Sequence, residues 1–190
     1  MDEELRTLTL RIRREAGEAD RAEAEELLAT GDRDRLAAVL TAAGRPLWAR
    51  ELAAYRLGSA GDRRAFEALV LLLNHRDPPR CASAAAALAR LGDPRTARAA
   101  AALATNELRV SYALFAVRLL IALRAPESAP ALMTVLRRRL APGDPHRAVA
   151  VACVEGLGAL ADPRARPLLT EAAARPYLAA PAEAALSRLP

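Results

Sequence analysis

Gly92-Asp93-Pro94-Arg95 and Asp162-Pro163-Arg164-Ala165-Arg166-Pro167-Leu168-Leu169 are the stretches whose reading decides the fold. Pro163 and Pro167 lie four residues apart, and both cannot sit inside one α-helix, because each lacks the N–H that bonds back four residues. The spacing works when Pro163 occupies a turn and Pro167 the opening turn of a helix, where N–H groups have no intrahelical partner anyway. Asp162 then ends one helix and caps the turn into the next. Pro126 and Pro130 repeat the pattern. Outward along the chain, Gly31-Asp32-Arg33, Gly61-Asp62-Arg63 and Ala125-Pro126-Glu127 occupy equivalent places. The anchors Asp32, Asp62, Asp93, Ala125 and Asp162 are therefore separated by 30, 31, 32 and 37 residues. The last interval is long because Arg137-Arg138-Arg139-Leu140-Ala141-Pro142-Gly143-Asp144 extends one connection.

Seven residues beyond the anchors stand Val39, Leu69, Ala100, Leu132 and Leu169, and ten beyond stand Ala42, Leu72, Leu103, Val135 and Ala172. Both columns are apolar and share one helical face. Two residues beyond stand Asp34, Arg64, Arg95, Glu127 and Arg164, all charged, and five beyond are Glu67 and Arg98. Each anchor thus opens an amphipathic second helix. Before it lies a first helix, predicted at 22–28, 47–57, 80–91, 108–123 and 146–160. One such pair cannot bury its apolar face alone, so neighbouring pairs must stack. The expected organisation is a capping helix or arm over 1–17, five repeats over 18–44, 45–76, 77–106, 107–142 and 143–175, and a half-repeat cap over 176–190, with Pro181 opening its helix.

These residues resemble the short HEAT-like repeat first described in phycobilisome lyases. The resemblance rests on the run from Asp162 to Leu169, on Ala125-Pro126-Glu127-Ser128-Ala129-Pro130-Ala131-Leu132 and Leu91-Gly92-Asp93-Pro94-Arg95, and on an arginine near the start of the first helix (Arg50, Arg80, Arg109, Arg147). It covers about residues 20–175. The first repeat has no proline in its turn, and the fourth lacks the aspartate. The resemblance implies an all-α fold, a right-handed α-solenoid whose second helices line the concave side. Functionally it implies scaffolds, adaptors or lyase subunits, because one fold serves many uses.

Composition agrees with an all-α chain. Of 190 residues 53% are hydrophobic but only 3% aromatic; 48 are Ala and 32 Leu, strong helix formers both. The 28 basic residues are all Arg, with no Lys and no Gln, as a GC-rich genome writes, and 23 carboxylates offset them to a net charge of +5. A mixed-charge surface is therefore expected rather than a uniformly basic one. Cys81 and Cys153 fall in Ala- and Val-rich helical segments, which reads as buried free thiols. The acidic opening and the lack of an 18-residue apolar run predict a cytoplasmic protein without a membrane span.

No residue pattern suggests catalysis, a metal or a cofactor. His75 and His146 fall at helix ends, where a lone imidazole usually meets the helix dipole or a neighbour. No paired His, Cys-x-x-Cys, phosphate loop or Gly-x-Ser-x-Gly occurs. The sharper candidates are cationic. Arg64, Arg95 and Arg164, with Glu67 and Arg98 one turn on, recur on one face of successive second helices. Stacked at roughly 10 Å steps, they would form a ladder for an acidic partner; otherwise they pair with carboxylates such as Glu67 and Glu127. Arg137, Arg138 and Arg139 form a second cluster beside the long loop, where they also suit a helix C-terminus. Trp48, Tyr55 and Phe66, like Tyr112 and Phe115, are expected in the core, and Trp48 would be a contact hot spot if exposed. The expected function is a non-enzymatic scaffold or adaptor that binds a protein on its concave second-helix face, with no small-molecule substrate. A DNA-binding module resembling the alkylpurine DNA glycosylases is the alternative, and a bilin lyase-like subunit a third.

Overall fold

Gly61 and Gly92 each follow a first helix with φ of +73° and +66°, the left-handed conformation that glycine adopts without a Cβ clash. The next residue is the anchor aspartate, whose side chain takes up the free N–H groups of the following turn. The Oδ1 of Asp32 accepts from the N–H of Asp34 at 2.9 Å and of Arg35 at 3.1 Å, while Asp62, Asp93 and Asp162 accept from Arg64, Arg95 and Arg164 at 3.1, 2.9 and 3.0 Å. The turn chemistry expected of the anchors is thus present in four of five. In the fourth repeat the Ser128 hydroxyl instead donates to the Leu120 carbonyl at 2.6 Å, inside the core.

The computed structural model describes residues 3–190, so Met1 and Asp2 of the expected 1–17 cap lie outside the described residues. It is all-helical there, and it divides into two compact units that meet in sequence at Thr96 and Ala97. That point lies inside the third expected repeat, after its turn. The first unit holds α1 (Glu3–Ala16), α2 (Arg21–Ala29), α3 (Arg33–Thr41), α4 (Leu47–Ser59), α5 (Phe66–Leu73) and α6 (Pro78–Leu91). The second holds α7 (Thr96–Thr105, its first residue before the division), α8 (Ala113–Leu123), α9 (Ser128–Arg139), α10 (Arg147–Leu160), α11 (Arg166–Ala173) and α12 (Ala179–Leu186). Short 3-10 turns at Arg63–Ala65 and Pro163–Ala165 lead into α5 and α11.

The anchor-plus-seven column is the floor of each core: Val39, Leu69, Ala100, Leu132 and Leu169 are all at most 5% exposed. Burying each leucine contributes about 1.5–3 kcal/mol. In the plus-ten column Leu72, Val135 and Ala172 are buried too, but Ala42 is exposed because α3 has ended at Thr41. Helices in the second unit touch closely: a Cβ on Gly158 of α10 would stand 2.7 Å from the Ala185 Cα of α12.

One expectation changes. The helix predicted from Leu108 begins only at Ala113; residues 107–112 form a 3-10 turn capped by Asn106, with Arg109 at φ −128°. Val110, Ser111 and Tyr112 are weak helix formers, and Leu108 is left 95% exposed. The turn residues of the fourth and fifth repeats also adopt the left-handed conformation without glycine, Arg124 at φ +50° and Ala161 at φ +55°.

Candidate functional site

The arginine two residues after an anchor aspartate folds back onto it. Arg64 Nε and Nη2 lie 3.0 and 2.6 Å from Asp62, Arg95 Nε and Nη2 lie 3.0 and 2.9 Å from Asp93, and Arg164 Nε and Nη2 lie 2.9 and 2.6 Å from Asp162. Each aspartate therefore accepts from both the backbone and the guanidinium of one residue. The guanidinium hydrogen bond holds the carboxyls of Asp62, Asp93 and Asp162 below the usual carboxylate range, and Asp62 and Asp34 hold Arg64 above its ordinary value.

In the first unit the remaining Nη1 edges are used as well. Arg64 Nη1 meets Asp34 at 2.8 Å and Arg95 Nη1 meets Glu67 at 3.1 Å, while Arg95 also lies 3.9 Å from the centre of the Phe66 ring. The structure thus forms two clusters, Asp34–Arg64–Asp62 and Glu67–Arg95–Asp93, whose exposed members are Asp34, Arg64, Glu67 and Arg95 and whose Asp93 is buried. The pairing expected with Glu67 is found; the dominant partner, the anchor aspartate, was read only as a cap. In the second unit Arg164 keeps Asp162 alone, and Arg98 of α7 is exposed with no ion pair among the described residues.

The cluster Arg137, Arg138 and Arg139 is largely occupied. Arg138 donates to the Thr105 carbonyl at 2.6 Å and pairs with Glu107 at 3.1 Å, and Arg139 pairs with Asp144 at 2.9 Å, both side chains 12% exposed. Asp144 in turn accepts from the N–H of His146 at 2.8 Å. Arg139 so pins the long connection, and Arg137 is the exposed member. Trp48 is corrected as a contact residue: at 4% exposure it is core, as are Tyr55 and Phe66.

Sequence reasoning missed two uses of arginine. One is capping of neighbouring helix ends. Arg56 of α4 donates to the Leu28 and Thr30 carbonyls at the end of α2, and Arg175 reaches the Leu140 carbonyl after α9 at 2.6 Å. Arg124 reaches the Ala159 carbonyl near the end of α10 at 2.8 Å. The other is a buried ionic cluster in the first unit. Glu51 of α4, 1% exposed, receives both Nη atoms of Arg11 from α1 and the Ser83 hydroxyl from α6 at 3.0 Å. Arg80, 7% exposed, stands 3.6 Å from Glu51 and pairs with Glu15. A capping helix or arm at the N-terminus was legible; its ionic docking was not.

The other polar candidates are structural. His75 Nδ1 accepts from the N–H of Asp77 at 3.0 Å, and the His75 carbonyl receives the Cys81 thiol at 3.1 Å. Cys81 and Cys153 are buried free thiols, and burial pushes the Cys153 thiol up to about 12. Among the described residues no three His, Cys, Asp or Glu side chains group to hold a metal, and no helix is long and apolar enough to cross a membrane.

With this geometry in place, residues 149–175, which run from within α10 through the Asp162 turn and α11, match the model of the PBS lyase HEAT-like repeat. No curated protein matches the chain.

Proposed function

We propose that a chain carrying this HEAT-like repeat is a non-enzymatic scaffold, a right-handed solenoid that binds a protein partner through the entry turns of its second helices. The observation that carries the reading is the exposed set Asp34, Arg64, Glu67 and Arg95. Its side chains are exposed yet held in place by aspartate forks and, at Arg95, by the Phe66 ring. Side chains ordered before binding lose less rotamer freedom when a partner arrives. A set of both signs selects a partner of complementary sign and speeds encounter. Arg98 and Arg164 add less neutralised cations to the second unit. Duplex DNA is the less supported partner, since a phosphate backbone rewards free cations and Arg64, Arg95 and Arg164 each already hold a carboxylate.

The test is affinity purification of the tagged chain from its own host, then titration of the recovered protein against R64E/R95E/R164E. Loss of affinity by tenfold or more is expected. Unchanged affinity removes this surface, and a duplex gel shift that weakens steeply with salt would replace the protein partner with DNA.

A further inference from the structure

The first unit shows what an amphipathic helix does when it lies on first helices. α1 places Leu8, Ile12 and Ala16, spaced by four, at 1, 0 and 7% exposure, and beside that stripe Arg11 reaches Glu51 and Glu15 reaches Arg80. On α6 it faces Pro79, Ala82 and Ser83 across a cleft of about 310 Å³. Those three residues stand 14, 11 and 10 positions before the anchor Asp93. The same count back from Asp162 gives Ala148, Val151 and Ala152 of α10. Here the three line a solvent-open groove of about 680 Å³, with Ile121 of α8 on one side and Ala184 of α12 on the other. Gly156 helps to shape it, since a Cβ there would stand 2.5 Å from the Ile121 side chain.

We propose that this groove receives one helix of a protein partner, apolar at i and i+4 and net acidic along its flanks. The repeat register supplies the shape argument, because in the first unit the equivalent positions of α6 already lie beside a helix with an apolar stripe spaced by four. Charge supplies the rest. Arg118 and Arg188 line the groove, exposed and without an ion pair among the described residues, against the single carboxylate of Glu155. In the same register, the position equivalent to Glu51 of α4, 11 before its anchor, is Leu114 of α8. A second copy's α1 would bring Arg11 against that leucine and leave a guanidinium unpaired, which is costly. The occupant's carboxylates belong at the edges and its centre is apolar. This site uses different helices from that charged set, so the two readings stand or fall separately.

A photo-crosslinking residue placed at Val151, and separately at Ala184, in the full chain expressed in its own host tests the proposal, with the captured peptide identified by mass spectrometry. Both positions are expected to capture one partner segment with an i, i+4 apolar stripe and net negative charge. R118E/R188E, with helical circular dichroism unchanged, should reduce capture at least tenfold. No capture, capture of a second copy, capture of a basic or unpatterned segment, or undiminished capture by R118E/R188E would each overturn it.

Discussion

Replacing Glu51 by leucine isolates the buried cluster. Glu51 is 1% exposed and receives Arg11 and Ser83, with Arg80 at 3.6 Å. Removing the carboxylate leaves the mostly buried Arg11 guanidinium with Glu15 at 3.6 Å as its remaining carboxylate, while Arg80 keeps Glu15 and Asp77. Breaking a buried pair in this way costs about 3–5 kcal/mol. With a urea m-value of about 2 kcal/mol/M, the unfolding midpoint of the first unit should fall by about 1.5–2.5 M. Replacing all three charges, as E51L/R11M/R80M, should recover most or all of that loss, because well-packed apolar side chains avoid desolvation altogether. Urea titration of the parent, the single and the triple variant, followed by hydrogen exchange of α4 and α6 amides, reads both effects. The reasoning is refuted if E51L costs less than about 1 kcal/mol, the value of an exposed pair, or if the triple variant is no better than the single one.

Ala161→Gly relieves a left-handed alanine at the end of α10 (φ +55°) and should stabilise by about 1 kcal/mol, read as a raised thermal midpoint; an unchanged or lower midpoint contradicts it. The carboxyls of Asp62, Asp93 and Asp162 have folded pKa values below their unfolded ones. Their contribution is therefore complete above the unfolded value, about 4, and is lost as pH falls through the lower folded values. Asp93→Asn should flatten the acid limb of stability below the unfolded value of about 4; an unchanged slope sinks the assignment. Cys153, with its thiol pushed up to about 12 inside the core, should resist iodoacetamide at pH 8 until the chain unfolds, and rapid native labelling would show the burial to be wrong.

The helix pairs were legible because their signals are local. A glycine, an aspartate and a proline at fixed offsets state where a helix stops and the next begins, and Val39, Leu69 and Leu132 state which face turns inward. Burial of Trp48 followed from its place in an apolar helix. What stayed hidden depends on contacts between residues far apart in sequence. Arg11 and Glu51 are 40 residues apart, and nothing in either neighbourhood marks them as partners. The fork between Asp62 and Arg64 is only two residues long, yet composition alone made its arginine look free, since a solvated cation and a chelated one are written with the same letter. The 3-10 turn at 107–112 escaped because Leu108 continued the apolar pattern although the chain left it in solvent.

Arg56, Arg138 and Arg175 bind their neighbours through main-chain carbonyls, an address that every helix end carries whatever its side chains. A unit joined in this manner recognises that a helix terminates beside it, not which residues compose it. Substitutions in one repeat thus leave that part of its neighbour's attachment intact, and a duplicated repeat arrives with a docking point already present. At those joints the attachment is therefore blind to side-chain identity, which leaves the exposed faces of the helices free to diverge.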